Sequence, residues 1–264
     1  MSAKREDVFR LDGKLAIVTG GNKGIGKGIA GGLARAGADI LIADIAFRAT
    51  GEVNDTVREI SRDSGVEVFA VKADVRQESD NKEMVREAID RFGRIDVLVC
   101  NAGIASGGVL PEDASVAKWD EIIETNLRSF FIGAREVCPV MARAGAGKSI
   151  SIGSVTSLMG IGPFAVYGAS KGGVLQLTRG LASAWAKYGI QVNCILPGWI
   201  KTELSIRAQA RDPDLEPRIV ARTPAGRWGE IDDIAGTAVY LASHASDFVT
   251  GVAIPVDGGY AMQG

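Results

Sequence analysis

The segment AVYGASKGG, residues 165–173, places Tyr167 and Lys171 one helical turn apart among small residues. The chain holds one histidine, His244, so the group that moves protons at neutral pH is expected not to be an imidazole. A free tyrosine has a pKa of about 10 and is a poor base at pH 7. An ammonium one turn away stabilises the phenolate, so we expect Lys171 to lower the pKa of Tyr167 and make it a usable acid or base.

This chemistry suits the interconversion of a secondary alcohol and a ketone. Oxidation removes the hydroxyl proton while hydride leaves the same carbon, so a base must stand within hydrogen-bond reach of that oxygen. Ser154, at the C-terminal end of a predicted strand, is expected to hold the substrate oxygen and to polarise a carbonyl in the reductive direction. Singly, Ser154 would be a turn serine, Tyr167 a half-buried core aromatic and Lys171 a surface lysine. Their joint spacing favours the catalytic interpretation.

A glycine-rich turn, TGGNKGIG at 19–26, follows the strand-like run LAIV. Glycine at 20 permits a tight turn, glycine at 24 lets backbone N–H groups approach a diphosphate, and glycine at 26 lets the helix pack close to the strand. The diphosphate then lies at a helix N-terminus, which favours an anion. The literal GxGxxG pattern, GKGIAG at 26–31, begins inside the predicted helix and is not expected to bind phosphate. The predicted cofactor-binding residues of the turn are Gly20, Asn22, Lys23, Gly24, Ile25 and Gly26.

Acidic residues at two strand ends bear on the choice of dinucleotide. Asp44 ends the second strand, where a carboxylate can accept hydrogen bonds from an adenosine ribose diol and would repel a 2′-phosphate. This predicts NAD, although Lys23 in the turn could offset a phosphate, so NADP stays possible. Asp74, with Val75 beside it, ends the third strand and is expected to accept a hydrogen bond from the adenine amino group; the alternative is a helix N-cap.

Short β-branched runs alternate with longer amphipathic stretches along the chain. Runs apolar on both faces, each followed by a helix, are typical of a parallel sheet covered on both sides. With right-handed crossovers this predicts an α/β fold, a doubly wound, Rossmann-type sheet in three layers, α/β/α. We expect one dinucleotide-binding domain over residues 1–264, since no linker divides it. The predicted strands are 15–19, 39–44, 66–74, 95–100, 148–153, 190–196 and 251–256, and the predicted helices are 24–36, 50–63, 78–92, 115–143, 165–188 and 231–243.

Composition excludes several classes of function. The formal net charge of −2 and the lack of a long basic run disfavour nucleic acid and anionic membranes, which leaves a small-molecule alcohol or ketone as the partner. Cysteines 100, 138 and 194 are far apart and no His/Cys/Asp/Glu cluster has ligand spacing, so neither a disulfide framework nor a metal is expected. A charged N-terminal segment and the absence of a long apolar stretch predict a soluble, cytoplasmic protein.

The chain resembles the short-chain dehydrogenases/reductases (SDR) over essentially its full length. Six motifs come in the family's order and spacing: TGGNKGIG, NAG at 101–103, TNL at 125–127, Ser154, YxxxK at 167–171 and PGWIKT at 197–202. Within the family the chain looks most similar to bacterial sugar and sugar-acid dehydrogenases, such as gluconate and deoxygluconate dehydrogenases. The resemblance implies a homotetramer, and helix 115–143 carries apolar residues that would face another subunit, among them Phe130, Phe131, Ile132 and Val137.

The resemblance also assigns roles to individual residues. Lys171 would hydrogen-bond the nicotinamide ribose as well as assist Tyr167, whose pKa the positive nicotinamide ring would lower further. Asn126 would hold a water that links Lys171 to bulk solvent, and the backbone of Ile200 would lie near the carboxamide. The implied catalytic residues are Asn126, Ser154, Tyr167 and Lys171, and the further cofactor contacts are Asn101, Ala102, Gly103, Pro197, Gly198, Ile200 and Thr202.

The irregular insertion at 198–228 is expected to cover the substrate, because it is long and lies next to the presumed nicotinamide end. Its arginines, from Arg207 to Arg227, suit a carboxylated substrate or, the interpretation we favour, a solvated helix face. Substrate contacts are expected from 104–108, 155–159 and Trp199, which would accept a sugar, a cyclic alcohol or a 3-oxoacyl chain. NAD-linked oxidation of a polyol, sugar or sugar acid is the first expectation. NADPH-linked reduction of a 3-oxoacyl thioester or similar ketone is the second, and a scaffold that binds cofactor without turnover is the third.

Overall fold

Each β-branched run of the sequence forms a strand, and each amphipathic run after it forms a helix against the sheet. The computed structural model describes residues 7–105 and 107–263, without the side chains of Leu204 and Arg211, and within this part lie seven strands and nine α-helices. The strands are β1 (Leu15–Thr19), β2 (Asp39–Asp44), β3 (Val68–Lys72), β4 (Val97–Cys100), β5 (Gly147–Ile152), β6 (Ile190–Pro197) and β7 (Ala253–Val256). The helices are α1 (Gly24–Arg35), α2 (Asp55–Ser64), α3 (Glu78–Phe92), α4 (Val116–Ile123), α5 (Ser129–Ala144), α6 (Ala165–Trp185), α7 (Glu203–Arg211), α8 (Leu215–Arg222) and α9 (Ile231–Ala242).

The strands form one parallel sheet in the order β3-β2-β1-β4-β5-β6-β7. The order reverses beside β1, which pairs with β2 on one side and with β4 on the other, so Val18 lies opposite both Ile42 and Val99. In sheets of this kind ligands bind outside the C-terminal strand ends at the reversal point. The predicted doubly wound α/β fold is confirmed.

Alternate residues of the strands enter two separate cores. Ala16 and Val18 of β1 pack with α1, α2 and α9 on one face of the sheet. Leu15 and Ile17 pack with α3, α5 and α6 on the other face. Because strand side chains alternate between faces, a strand buried on both sides must be apolar at every position, which is the pattern that the β1 sequence has.

The predicted helices differ from the structure where side chains redirect the backbone. The predicted helix 50–63 begins only at Asp55, because the Asn54 side chain accepts a hydrogen bond from the Val57 N–H and caps α2. The predicted helix 115–143 consists of α4, a π-helical turn (Glu124–Arg128) and α5. The insertion 198–228, expected to be a loop and a helix, contains two helices: α7, which begins at a Thr202–Ser205 capping box, and α8.

The glycines of the GKGIAG pattern, 26–31, lie in α1 and serve packing, as expected of a pattern that begins inside a helix. A Cβ at Gly28 would overlap the Cγ2 methyl of Ile231 at the start of α9. A Cβ at Gly31 would meet only the Arg35 guanidinium, at 3.3 Å from Nη1. Glycine is therefore required at 28 for the approach of α1 to α9, whereas Gly31 has room for a methyl group.

We predict that Gly28→Ala destabilises the protein by about 1–3 kcal/mol, because the β-branched Ile231 is stiff and the two helices must separate. Gly31→Ala is the matched control in the same helix, and its better helix propensity is worth roughly 0.5–1 kcal/mol in the opposite direction. Urea unfolding measures both differences. Adding Ile231→Ala should recover part of the loss in Gly28→Ala, and equal effects of the two alanines would contradict this account of α1 packing.

Candidate active site

A cleft of about 610 Å³ lies across the C-terminal ends of the strands beside the reversal point. Its size is typical of small-molecule sites. Predicted residues that line it are Gly20, Lys23, Gly24, Ile25, Gly26, Asp44, Asp74, Val75, Asn101, Ala102, Gly103, Ser154, Tyr167, Lys171, Pro197, Gly198 and Thr202. Three other predicted residues, Asn22, Asn126 and Ile200, do not line it. Their contacts show that they support the cleft from behind.

The glycine-rich turn has the backbone that its sequence requires. Gly20 and Gly24 have φ of +64° and +56°, values that side chains other than glycine rarely adopt. A Cβ at Gly26 would overlap the Gly20 carbonyl and the Asn101 amide. Asn101 holds this approach, because its Nδ2 donates to the carbonyl oxygens of Thr19 at 2.9 Å and Gly20 at 3.0 Å.

Asn22 and Asp44 are joined at the far end of the turn. The Asn22 N–H donates to Asp44 Oδ2 at 3.2 Å, and the Ala46 N–H donates to Asp44 Oδ1 at 2.9 Å. The Asn22 side chain accepts from Asn54 Nδ2 at 2.7 Å, which ties the turn to the start of α2. Asp44 is thus fixed in orientation by two backbone donors, and each carboxylate oxygen keeps a further lone pair toward the cleft.

Asp74 has a neighbour that the sequence analysis missed. Both of its carboxylate oxygens accept from the Arg76 guanidinium, with Nη2 at 2.6 Å from Oδ2, and this hydrogen bonding lowers the pKa of Asp74. Helix α3 is capped at Gln77, so the N-cap alternative for Asp74 is wrong. Arg76 itself lines the cleft. Any hydrogen bond from an adenine would have to share this carboxylate with Arg76.

Ser154, Tyr167 and Lys171 lie together in the cleft. Lys171 is 4% exposed, and its Nζ donates to the Ile152 carbonyl at 2.7 Å and lies 5.7 Å from the centre of the Tyr167 ring. Burial lowers the pKa of Lys171 to about 8. Burial raises the pKa of Tyr167 to about 12, against the opposing effect of a hydrogen bond with Ser154. In the chain by itself, desolvation of the phenol outweighs the hydrogen bond that lowers its pKa. The expected lowering, which includes the positive charge of the nicotinamide ring, stays a prediction for the protein with bound cofactor.

Asn126 lies on the π-helical turn and bridges two elements of the site. Its Oδ1 accepts from the Ile104 N–H at 2.8 Å, and its Nδ2 donates to the Ile104 carbonyl at 2.9 Å and to Ser170 Oγ at 3.0 Å. Ser170 precedes Lys171 on α6. A Cβ at Gly103 would lie 3.1 Å from Asn126 Oδ1 and 3.5 Å from Lys171 Nζ, so Gly103 keeps open the space between these two side chains. π-turns are frequent at functional sites, and this one directs Asn126 inward.

The segment after β6 places its backbone beside the cleft and its large side chains elsewhere. Gly198 lies so close to Asp257 that a Cβ would stand 2.7 Å from the Asp257 Cα. Ile200 is buried and pairs with Gly229 through a parallel bridge. Trp199 packs on Trp228 at 5.6 Å and against the edge of Phe164 at 6.1 Å. Val155, Met159 and Trp199 thus belong to an apolar cluster, and residues 155–159 and Trp199 do not line the cleft, contrary to expectation.

The arginines of the insertion 198–228 divide into two groups. Arg218 pairs with Asp212, Arg222 covers the Tyr260 ring and Arg227 pairs with Asp233. Arg207 lines the cleft with a side chain that is 76% exposed, which agrees with the favoured solvated face, and the side chain of Arg211 lies outside the described residues. Ile104 and Ala105 of the expected substrate loop line the cleft, and Ser106 is outside the described part.

Residues that flank the predicted ones complete the wall of the cleft. All but Glu121 and Ile152 directly precede or follow a predicted site residue, and this adjacency is the signal that would have found them. They are Ala43, Ile45, Ala73, Arg76, Glu121, Thr125, Ile152, Gly153 and Glu203. In the described part of the chain no group of three or more His, Cys, Asp or Glu residues could hold a metal ion, and no helix is long and apolar enough to cross a membrane.

The residues of the cleft fit a dinucleotide. The N-terminus of α1 points its free amides toward the turn at Gly24, and the first turn of α1 has no acidic residue that would repel a phosphate. Side chains larger than hydrogen at 20 and 26 would fill this cradle. Asp44 follows the glycine-rich turn at about the sequence separation that is typical of an acidic residue that binds the adenosine ribose. Tyr167 and Lys171 lie in the same cleft.

Comparison with known proteins agrees with this geometry. Residues 20–261 match a family profile described as enoyl-(acyl carrier protein) reductase. The chain is 39% identical to 2-dehydro-3-deoxy-D-gluconate 5-dehydrogenase of Dickeya dadantii, covering 96% of this chain and 98% of that protein. It is 36% identical to the 3-oxoacyl-acyl-carrier-protein reductase FabG of Staphylococcus epidermidis, covering 94% and 99%. The crystal structure of a gluconate 5-dehydrogenase from Burkholderia cenocepacia in complex with NADP and tartrate superposes with a TM-score of 0.89 at 39% identity, covering 98% and 99%.

The fold and these similarities define an oxidoreductase that acts on CH–OH groups. The chain belongs to the short-chain dehydrogenase/reductase family, which uses NAD or NADP. The resemblance on which the sequence analysis relied is confirmed.

The buried ammonium predicts a pH dependence of stability. The pKa of Lys171 falls from the ordinary 10.5 to about 8 in the folded chain, so between these values the unfolded chain binds a proton that the folded chain does not. Lys171 therefore contributes a rise of the free energy of unfolding with pH in this window, by at most about 1.4 kcal/mol per pH unit. Burial raises the pKa values of Cys100, Cys138 and Cys194, which contribute in the opposite direction, so the Lys171 contribution is the difference between wild type and a Lys171 variant.

We predict that Lys171→Met removes this rise, whereas the exposed control Lys187→Met keeps it. Urea unfolding at intervals from about pH 7.5 to 9 measures the effect, below the pH at which a tyrosine ionises in the unfolded chain. Parallel stability curves for wild type and Lys171→Met would show that the Lys171 amine keeps its ordinary pKa.

Proposed function

We propose that the protein interconverts a secondary alcohol and a ketone on a sugar acid or related polyol, with NAD(H) as the hydride carrier and Tyr167 as the general acid/base. The observation that supports this most directly is the meeting of Ser154, Tyr167 and Lys171 in one cleft with the glycine-rich turn. Each has a physical task in the reaction, and three unrelated residues have no other reason to share that cleft.

In the oxidative direction the phenolate form of Tyr167 takes the hydroxyl proton and becomes the phenol, while Ser154 holds the same substrate oxygen by a hydrogen bond. A bound dinucleotide would supply the hydride acceptor. Because burial raises the pKa of Tyr167 to about 12 in the chain alone, the phenolate needs positive charge beside it during the reaction. Lys171 supplies that charge whenever its amine is protonated, and its pKa of about 8 leaves it mainly protonated at pH 7.

Asn126 serves as a positioning residue in this proposal. Its amide fixes the Ile104 backbone and Ser170, which immediately precedes Lys171. The open space at Gly103, between Asn126 and Lys171, is where a water could pass protons to Lys171. The part expected of Ile200 needs only its backbone, which agrees with its buried side chain. We further propose that the insertion 198–228 covers the bound substrate, because Thr202, Glu203 and Arg207 reach the cleft from it.

Sugar acids are proposed as substrates on the strength of the relatives from Dickeya dadantii and Burkholderia cenocepacia, which are dehydrogenases of gluconate or its dehydro-deoxy derivative. The FabG relative supports the alternative, reduction of a 3-oxoacyl thioester with NADPH, at a slightly lower identity. A scaffold without turnover is the third possibility. We also propose a cytoplasmic homotetramer; Phe130, Ile132 and Val137 are in the core, so of the expected interface residues only Phe131 is exposed to meet a partner.

The first test is absorbance at 340 nm with NAD and NADP in parallel, over gluconate, other sugar acids, polyols and 3-oxoacyl thioesters in both directions. We predict that Tyr167→Phe lowers kcat by about 100- to 10,000-fold and leaves cofactor binding unchanged, because only proton transfer is removed. Tyr188→Phe, which changes an exposed tyrosine, is the control. Turnover in Tyr167→Phe at the wild-type rate would exclude Tyr167 as the acid/base. A wild-type protein that binds cofactor but is silent throughout would favour the scaffold.

Asp44 decides the cofactor in this proposal. Its carboxylate stands at the cleft in a fixed orientation and favours a ribose diol over a 2′-phosphate, which outweighs the exposed Lys23. We predict that Asp44→Asn weakens NADH binding and strengthens NADPH binding by about tenfold each. Asp39→Asn, at the other end of β2, is the control. Fluorescence titration of both cofactors measures the change, and an unaltered ratio of dissociation constants would mean that Asp44 does not select the cofactor.

A further inference from the structure

We propose that Arg207 of α7 is an oxyanion-binding residue of the cleft, which binds the carboxylate of the substrate or the diphosphate of the cofactor. The carboxylate assignment rests on the proposed function, whereas the diphosphate assignment does not.

The position of Arg207 follows from the start of α7. Thr202, the N-cap of α7, lies beside the glycine-rich turn, with its Cγ2 methyl 3.8 Å from where a Cβ at Gly24 would stand. Glu203 and Arg207 are one helical turn apart and therefore share a face of α7. That face lines the same cleft as Ser154, Tyr167 and Lys171. The first two turns of α7 thus present one carboxylate and one guanidinium to the space where the reactants would lie.

Arg207 has only a weak partner in this arrangement. Its Nη2 lies 3.8 Å from Glu203 Oε2, and the two side chains are 76% and 68% exposed. An exposed ion pair of this length contributes little to stability, so exchanging Glu203 for a better-aligned oxyanion has little cost.

Other described basic side chains in or near the insertion 198–228 already have partners outside the cleft. Lys201 pairs with Glu230, Arg218 with Asp212 and Arg227 with Asp233, while Arg222 lies over the Tyr260 ring. Within the cleft, Arg76 is held by both oxygens of Asp74 and Lys171 is buried against a carbonyl. Arg207 is therefore the guanidinium that can change partner when an anion arrives.

The chemistry of the guanidinium fits either anion. Its planar donors match the two oxygens of a carboxylate or of a phosphate, and a charge-assisted pair of this kind is stronger than a neutral hydrogen bond. A sugar acid carries one carboxylate, and a dinucleotide carries two phosphates at the glycine-rich turn. A neutral alditol of the same chain length lacks the carboxylate, which allows the two sources to be separated.

The test uses Arg207→Gln and Arg207→Lys, with Arg218→Gln as the control, because Arg218 is an arginine of the same insertion that pairs outside the cleft. The dissociation constant of NADH is measured by its fluorescence without substrate. KM is measured for gluconate and for the matching alditol at saturating cofactor. Loss of one charge-assisted pair in Arg207→Gln corresponds to a change of about 10- to 100-fold, and Arg207→Lys should recover part of it.

A rise confined to the KM of gluconate, with the alditol unaffected, supports the proposal and assigns the carboxylate. A rise in the NADH dissociation constant supports it and assigns the diphosphate, even if gluconate is not turned over and the proposed substrate is wrong. Two results together overturn the proposal. The first is an NADH dissociation constant of Arg207→Gln that equals those of wild type and Arg218→Gln. The second is a KM for gluconate that changes no more than the KM for the alditol.

Discussion

The site depends on the burial of the Lys171 ammonium without a carboxylate beside it. A buried charge is costly unless it is hydrogen-bonded, and here the Ile152 carbonyl is the direct acceptor. The same burial lowers the pKa of Lys171 to about 8 and raises that of Tyr167 to about 12. Desolvation is therefore unfavourable at Tyr167 and Lys171, the two residues proposed to take part in proton transfer. Charge on the bound reactants can offset this cost. Functional sites commonly lower the stability of a protein in this way.

Holding that pair in place requires the strand ends on both sides of β1 to be locked together. Thr19 Oγ1 accepts from the N–H groups of Asn101 and Ala102, while the Asn101 amide returns hydrogen bonds to Thr19 and Gly20. These bonds join the glycine-rich turn to the loop that contains Gly103, which in turn lies against Asn126 and Lys171. The cofactor cradle and the proton-transfer residues are thus one hydrogen-bonded unit at the reversal point of the sheet. A shift of either loop would therefore move the other one as well.

The opposite side of the cleft is built differently. The insertion 198–228 is tied down where α7 begins, by Thr202 and Ser205, and where Trp199 packs on Trp228. Between these anchors α7 turns exposed, charged residues toward the cleft. The strand ends thus contribute the buried residues of the cleft, whereas the insertion contributes exposed, charged ones. A rigid scaffold that carries variable loops is the arrangement by which one fold serves many functions.

The sequence by itself determined the sheet, the glycine-rich turn and the Tyr167–Lys171 pair, because these depend on local patterns: strands apolar on both faces, glycine where φ is positive, and a Tyr–Lys pair on one helical turn. Only the tertiary structure decided that Arg76 occupies Asp74, that Asn126 is directed by a π-turn, and that Val155, Met159 and Trp199 pack in an apolar cluster outside the cleft. It also decided the direction of the Tyr167 pKa shift. Each of these outcomes depends on desolvation or on contacts between residues distant in the chain, and spacing along a sequence does not encode how deeply a side chain is buried.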